Sequence, residues 1–204
     1  MKRTILGVLA IAFLLAACNN AGQPSQAGPD SVSQEHTSTA AADSAPVTAL
    51  TPQFSGLDSK VATSLKMVVD QYLHIKNGLA DDNSADAANG GRAMAEALAG
   101  VNPSLLTPEQ QKVFTDNADD LKEHAEHIGK NEGNIAHQRE HFAAMSEDVY
   151  ALVKAYGGGR PLYHDYCPMY DNNKGALWLS EEKNVKNPYM AGMTSCGSVK
   201  EMIK

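Results

Sequence analysis

This sequence is short of basic charge, of cysteine and of long apolar runs. Lys and Arg number 17 against 24 Asp and Glu, so there is no cationic surplus with which to neutralise a phosphate backbone, and nucleic-acid binding is not expected. No apolar run long enough to cross a bilayer follows Leu15, so everything beyond it is expected to be water-soluble. There is no Gly-rich phosphate loop and no GxSxG elbow. His137 and His141 have the spacing of HxxxH without the glutamate of HExxH, so a zinc-protease reading fails. Gly157-Gly158-Gly159 follows a helical stretch instead of opening one, and reads as a helix stop. With no catalytic constellation, the chain is not expected to be an enzyme.

What is present begins with a three-part leader. Lys2 and Arg3 precede an apolar run from Ile5 to Leu15, and Ala16 and Ala17 lead to Cys18. The run is too short for a permanent span, and residues 1–17 read as a secretory signal peptide. Leu15-Ala16-Ala17-Cys18 looks like a lipobox, which makes Cys18 the expected lipidation site and the membrane a partner through that anchor. Loss of Lys2 and Arg3 takes the net charge from −7 to about −9. Asn19 follows the cysteine with no acidic run immediately after it, which favours a periplasm-facing location. Residues 18–56 are expected to form the lipidated start and a disordered tether. The stretch 19–50 is rich in Ala, Ser, Gln, Asp and Pro and buries too little apolar area to offset ordering. Its root-mean-square span would be roughly 30 Å.

Residues 57–156 read as a helical bundle. Val61, Leu65, Val68, Tyr72, Ile75 and Leu79 recur at fours and threes, one apolar stripe of a helix. Asp58 or Ser59 is placed to cap its start, and Asp81-Asp82-Asn83 punctuates its end. A second helix, about Ser84 to Ala99, reads as interrupted by Gly90-Gly91. The third begins at Thr107-Pro108-Glu109-Gln110, which has the signature of a capping box with proline in the first turn. Its stripe is Phe114, Ala118, Leu121, Ala125 and Ile128. The fourth carries Ile135, Gln138, Phe142, Met145, Val149, Leu152 and Tyr156. Gln138 falls inside that seam and is expected to bond a neighbouring segment's backbone. The predicted class is mainly α: an up-and-down bundle of about four helices. Residues 157–204 follow as a small irregular Tyr/Pro/Gly-rich segment with short strands, packed on the bundle so that 57–204 form one domain.

Both remaining cysteines lie in that last segment. Cys167 and Cys196 enclose a loop of about 30 residues, and in an oxidising compartment a disulfide worth roughly 3 kcal/mol is the default. The alternative is a soft-metal site. Thiolate and thioether suit Cu(I), and Cys167 with Met169, Met193 with Cys196, and His164 supply such donors. A Cys167–His164 nucleophile is disfavoured where thiols oxidise. The helical histidines form a second candidate, since His124 and His127 are three apart and His137 and His141 four apart. Projected at about 100° per residue, His124 and His141 border the apolar stripes while His127 and His137 point further toward solvent, so all four read as solvent-side residues.

Several segments carry a resemblance. They are Gln138-Arg139-Glu140-His141-Phe142 with Ser146; Tyr163 and Tyr166-Cys167-Pro168-Met169; Lys174-Gly175-Ala176-Leu177-Trp178-Leu179-Ser180; Asn187-Pro188-Tyr189; and Met193 with Cys196-Gly197. Across about residues 60–203 the chain resembles the domain of unknown function 3347, found in lipoproteins of Bacteroidota-type bacteria and beside adaptors of heavy-metal efflux pumps. The family has no established activity. The resemblance implies a copper-type or heavy-metal role with Cys167, Met169, Met193 and Cys196 as its residues, and a heavy-metal efflux system as the expected partner. Met190-Ala191-Gly192 departs from the family's pattern.

Overall fold

A computed structural model describes residues 47–204. The signal segment 1–17, Cys18 and the expected tether up to residue 46 lie outside the described residues. The rest is mostly helical, four long helices followed by short strands, as the stripes predict.

Helix α1 (Ser59–Ala80) starts where the Asp58 side chain accepts the Lys60 N–H, and its stripe is buried throughout. Helix α2 (Ser84–Ala99) is capped by Asn83 and runs unbroken through Gly90-Gly91. The expected interruption is corrected by packing. A Cβ on Gly90 would lie 2.8 Å from Ile75 Cγ1 of α1, and one on Gly91 would lie 2.7 Å from the Ala125 carbonyl oxygen. The two glycines let α2 approach a neighbour on each side. Helix α3 (Pro108–Lys130) opens with the reciprocal capping box of Thr107 and Gln110. Helix α4 (Ile135–Tyr156) stops at Gly157, whose φ of +82° suits glycine. Successive helices pack against one another, and α1 also meets α4.

Gln138 is fully buried, and its Nε2 donates to the carbonyls of Ser84 at 3.0 Å and Ile128 at 3.1 Å. Its Oε1 accepts the Ser84 hydroxyl at 2.8 Å. One amide therefore ties the start of α4 to the end of α3 and the start of α2.

A four-stranded sheet covers the bundle. Its strands are β1 (Thr48–Leu50), β2 (Leu162–Cys167), β3 (Ala176–Ser180) and β4 (Ser198–Ile203), in the order β1-β4-β2-β3. β1 runs parallel to β4, while β2 is antiparallel to both β3 and β4. β1 lies inside the stretch expected as tether, so the ordered domain begins earlier than residue 57. Leu50 packs against the core, and pairing with β4 supplies the backbone bonds that three residues cannot make alone.

The sheet docks through a buried hydroxyl network. Tyr72 accepts the Leu179 N–H at 3.0 Å and donates to Ser146 Oγ at 2.9 Å; Ser146 donates to the Phe142 carbonyl at 2.8 Å. The Tyr189 hydroxyl donates to the Leu177 carbonyl. Burial raises the Tyr72 phenol well above its ordinary range, so these rings stay neutral donors.

Candidate functional site

Cys167 closes β2 and is fully buried, paired across to Ala176 of β3. Cys196 arrives from a loop that one residue shapes. Asn187 is buried; its N–H donates to the Thr194 carbonyl at 2.7 Å and its Nδ2 to the Cys196 carbonyl at 2.8 Å. Its side-chain oxygen accepts the Tyr189 N–H at 2.7 Å, closing an Asx turn. The Cys196 N–H donates to the Met193 carbonyl at 3.1 Å, closing a turn between them. Gly197 follows at φ +134°, and a Cβ there would lie 2.8 Å from the Trp178 ring. Glycine therefore lets the chain lie flat against Trp178.

This geometry brings the two thiols side by side. Both are free cysteines. A hydrogen bond with Cys167 pushes the Cys196 thiol up to about 11, with burial adding to the shift. The rest of the predicted soft-metal set is less gathered. Met169 and Met193 are 44% and 43% exposed, so their thioethers stand at the surface. His164 lies three residues from Cys167 on β2, beyond a register irregularity between His164 and Asp165, and its ring is engaged elsewhere. Its Nδ1 is 3.3 Å from Glu201 Oε1 and its ring is 4.4 Å from that of Tyr150. Burial lowers the His164 pKa, and the Glu201 carboxylate opposes that shift.

The helical histidines, by contrast, converge. His124 Nδ1 lies 3.0 Å from His141 Nδ1, and His141 Nε2 lies 3.2 Å from His137 Nε2. His127 stacks on His141 with ring centroids 4.3 Å apart. The expected solvent-side placement holds only in part, because α3 and α4 pair as an antiparallel hairpin and the four rings share its seam. Burial, then the neighbouring imidazoles, lower the His141 pKa. Arg139 is a further residue that periodicity does not single out. It is 8% exposed, and its guanidinium donates to the carbonyls of Pro188 and Leu79, each at 2.8 Å, and to the Asp82 carboxylate.

A four-helix up-and-down bundle, capped by a small mixed sheet that closes over a pair of neighbouring thiols, is the class of domain these elements define. Residues 68–160, from within α1 to just past α4, match the model of the family described as protein of unknown function (DUF3347). The Cys/Met motifs from Tyr163 onward lie beyond the matched residues. No curated protein and no solved structure matches the chain. Among the described residues, no helix is long and apolar enough to cross a membrane.

Proposed function

We propose that the chain is a lipid-anchored, periplasm-facing binding module, not an enzyme, that takes a soft, copper-type ion and serves a heavy-metal efflux system as an accessory. The observation that carries this reading is that Cys167 and Cys196 are both free and are neighbours in the fold, one at the end of β2 and one in the loop before β4. Two adjacent sulfurs, one buried and one half-buried, suit linear or trigonal Cu(I) once the ion displaces their protons. The exposed thioethers of Met169 and Met193 stand two and three residues away in sequence, placed to hand an ion in or out. Cys18 would tether the module to the membrane.

Competition between the reduced full chain and a Cu(I) indicator tests the reading. Stoichiometric uptake that disappears in Cys167→Ser/Cys196→Ser is expected; undiminished uptake by that variant overturns it. The same placement also suits a Cys167–Cys196 disulfide in a purely structural lipoprotein. Mass measurement after alkylation in denaturant without reductant separates the two, since the metal-binding form leaves both thiols free to be alkylated once unfolded.

A further inference from the structure

We propose that His127, His137 and His141 form a second, separate site for a divalent transition cation that prefers imidazole, Cu(II) or Zn(II), with His124 as the positioning residue that holds His141. One ligand atom from each of the three lies within 4.8 Å of the other two. The tightest pair, the Nε2 atoms of His137 and His141 at 3.2 Å, is close to the roughly 3.3 Å that separates two nitrogens on one tetrahedral ion with bonds of about 2.0 Å.

The other nitrogens of His137 and His141 have partners of their own, which accommodate the tautomers a metal needs. His137 Nδ1 is 3.2 Å from the Glu140 carboxylate, so it carries the proton and leaves Nε2 as the lone-pair donor. His141 Nδ1 faces His124 Nδ1 at 3.0 Å; with His141 donating in that bond, it likewise offers Nε2. Metal-bound histidines are oriented in this manner by an acceptor on the far ring nitrogen. His127 completes the set from α3. Its side chain is 45% exposed, so its ring has room to swing onto an ion, and Glu123 lies 3.9 Å from its Nε2.

The backbone around the site is held. The Asn131 side-chain amide donates to the His127 carbonyl at 2.8 Å, the Asn134 side chain accepts the His137 N–H at 3.4 Å, and Gln138 pins α4 to α3 between them. Three imidazoles leave a fourth coordination position open, which is the arrangement of an exchangeable site and not of a closed structural one. Carboxylates of Glu123 and Glu140 at its edge offset the ion's charge. Imidazole donors select borderline divalent ions, with Cu(II) the tightest, whereas the C-terminal thiols suit a monovalent soft ion. The two sites therefore differ in the elements that build them and in their chemistry.

The test uses the full chain, free of any polyhistidine tag and carrying Cys18→Ser, Cys167→Ser and Cys196→Ser, titrated with Cu(II) and with Zn(II). One ion per chain is expected, with a Cu(II) paramagnetic resonance spectrum split by several nitrogen nuclei. His127→Gln and His137→Gln are both at the surface and should leave the helical circular dichroism unchanged. Each should lower the affinity at least about tenfold, and His124→Gln about tenfold with the stoichiometry kept. Should the serine variant fail to fold, Zn(II) added to the wild-type chain should shift the ring resonances of His127, His137 and His141. Affinity unchanged in His127→Gln/His137→Gln, a spectrum without nitrogen splitting, or ring resonances unmoved by Zn(II) would overturn the site and leave a hydrogen-bonded histidine chain. None of these outcomes bears on Cu(I) uptake by the thiols.

Discussion

Asp165 sits on β2 with no exposed surface, and neither carboxylate oxygen has a hydrogen-bond partner. Burial pushes its carboxyl up to about 7, and the nearby Lys76 ammonium only partly opposes this. Lys76 is itself lowered by burial. In the unfolded chain the same carboxyl titrates near 3.9. Between those values the folded chain binds more protons than the unfolded one, so stability falls as pH rises through that window. Each unit is worth about 1.4 kcal/mol, a few kcal/mol at most. Denaturation midpoints measured from pH 4 to 7 should decline for the wild type and much less for Asp165→Asn; equal slopes would sink the assignment. Tyr72 poses the opposite case of a buried polar group fully used. Tyr72→Phe leaves the Leu179 N–H without an acceptor, and urea denaturation should show a loss of about 1–3 kcal/mol.

Gly91 shows how a pair of helices overrides local preference. Alanine is the better helix former by about 1 kcal/mol, yet a Cβ there would meet the Ala125 carbonyl and the Gly129 N–H, each at 2.7 Å. Backbone gives way less easily than a side chain, and overpacking costs about 1–3 kcal/mol. Gly91→Ala is therefore expected to lower the thermal midpoint, with a net loss of about 1–2 kcal/mol; a gain would mean that α2 and α3 can part freely. The stripes of α1, α3 and α4 and the Thr107 cap were readable because a period of 3.6 and a capping box are properties of one short stretch of chain. The glycine pair was misread as a break because its meaning lies in the helices on either side. β1 escaped for a similar reason, since Thr48-Ala49-Leu50 has no pattern of its own and gains order only from β4. The spacing sets His124 and His141 at the stripe borders and His127 and His137 further toward solvent, but the meeting of all four depends on how α3 folds back on α4. The placing of Cys167 beside Cys196 was open to inference from there being only two thiols in the C-terminal segment, whereas the engagement of the His164 ring elsewhere needed the fold.

Arg139 joins the helical and C-terminal parts in a way neither half reveals alone. Its guanidinium grips the Leu79 carbonyl and Asp82 at the turn between α1 and α2, and also the Pro188 carbonyl of the loop that delivers Cys196. Tyr189 extends the same loop inward, with its ring 5.8 Å from those of Phe142 and Trp178. The placing of the two thiols is thus set by the bundle through one buried cation as well as by Asn187 within the loop. Arg139→Met keeps much of the apolar bulk but removes all three bonds, leaving the buried Pro188 carbonyl without a donor and the Leu79 carbonyl with only the Asp82 N–H at 3.3 Å. A loss of about 2–4 kcal/mol is expected, tempered because Asp82 remains half exposed and can be solvated. The more telling readout is at a distance. With the loop loosened, Cys196 should part from Cys167 and lose the hydrogen bond that raises its pKa. At pH 8 its alkylation should then run several-fold faster than in the wild type, with Cys167 still slow because it stays buried in the sheet. An alkylation rate at Cys196 that Arg139→Met leaves unchanged, in a variant shown to be destabilised, would mean that the loop holds its shape without the bundle.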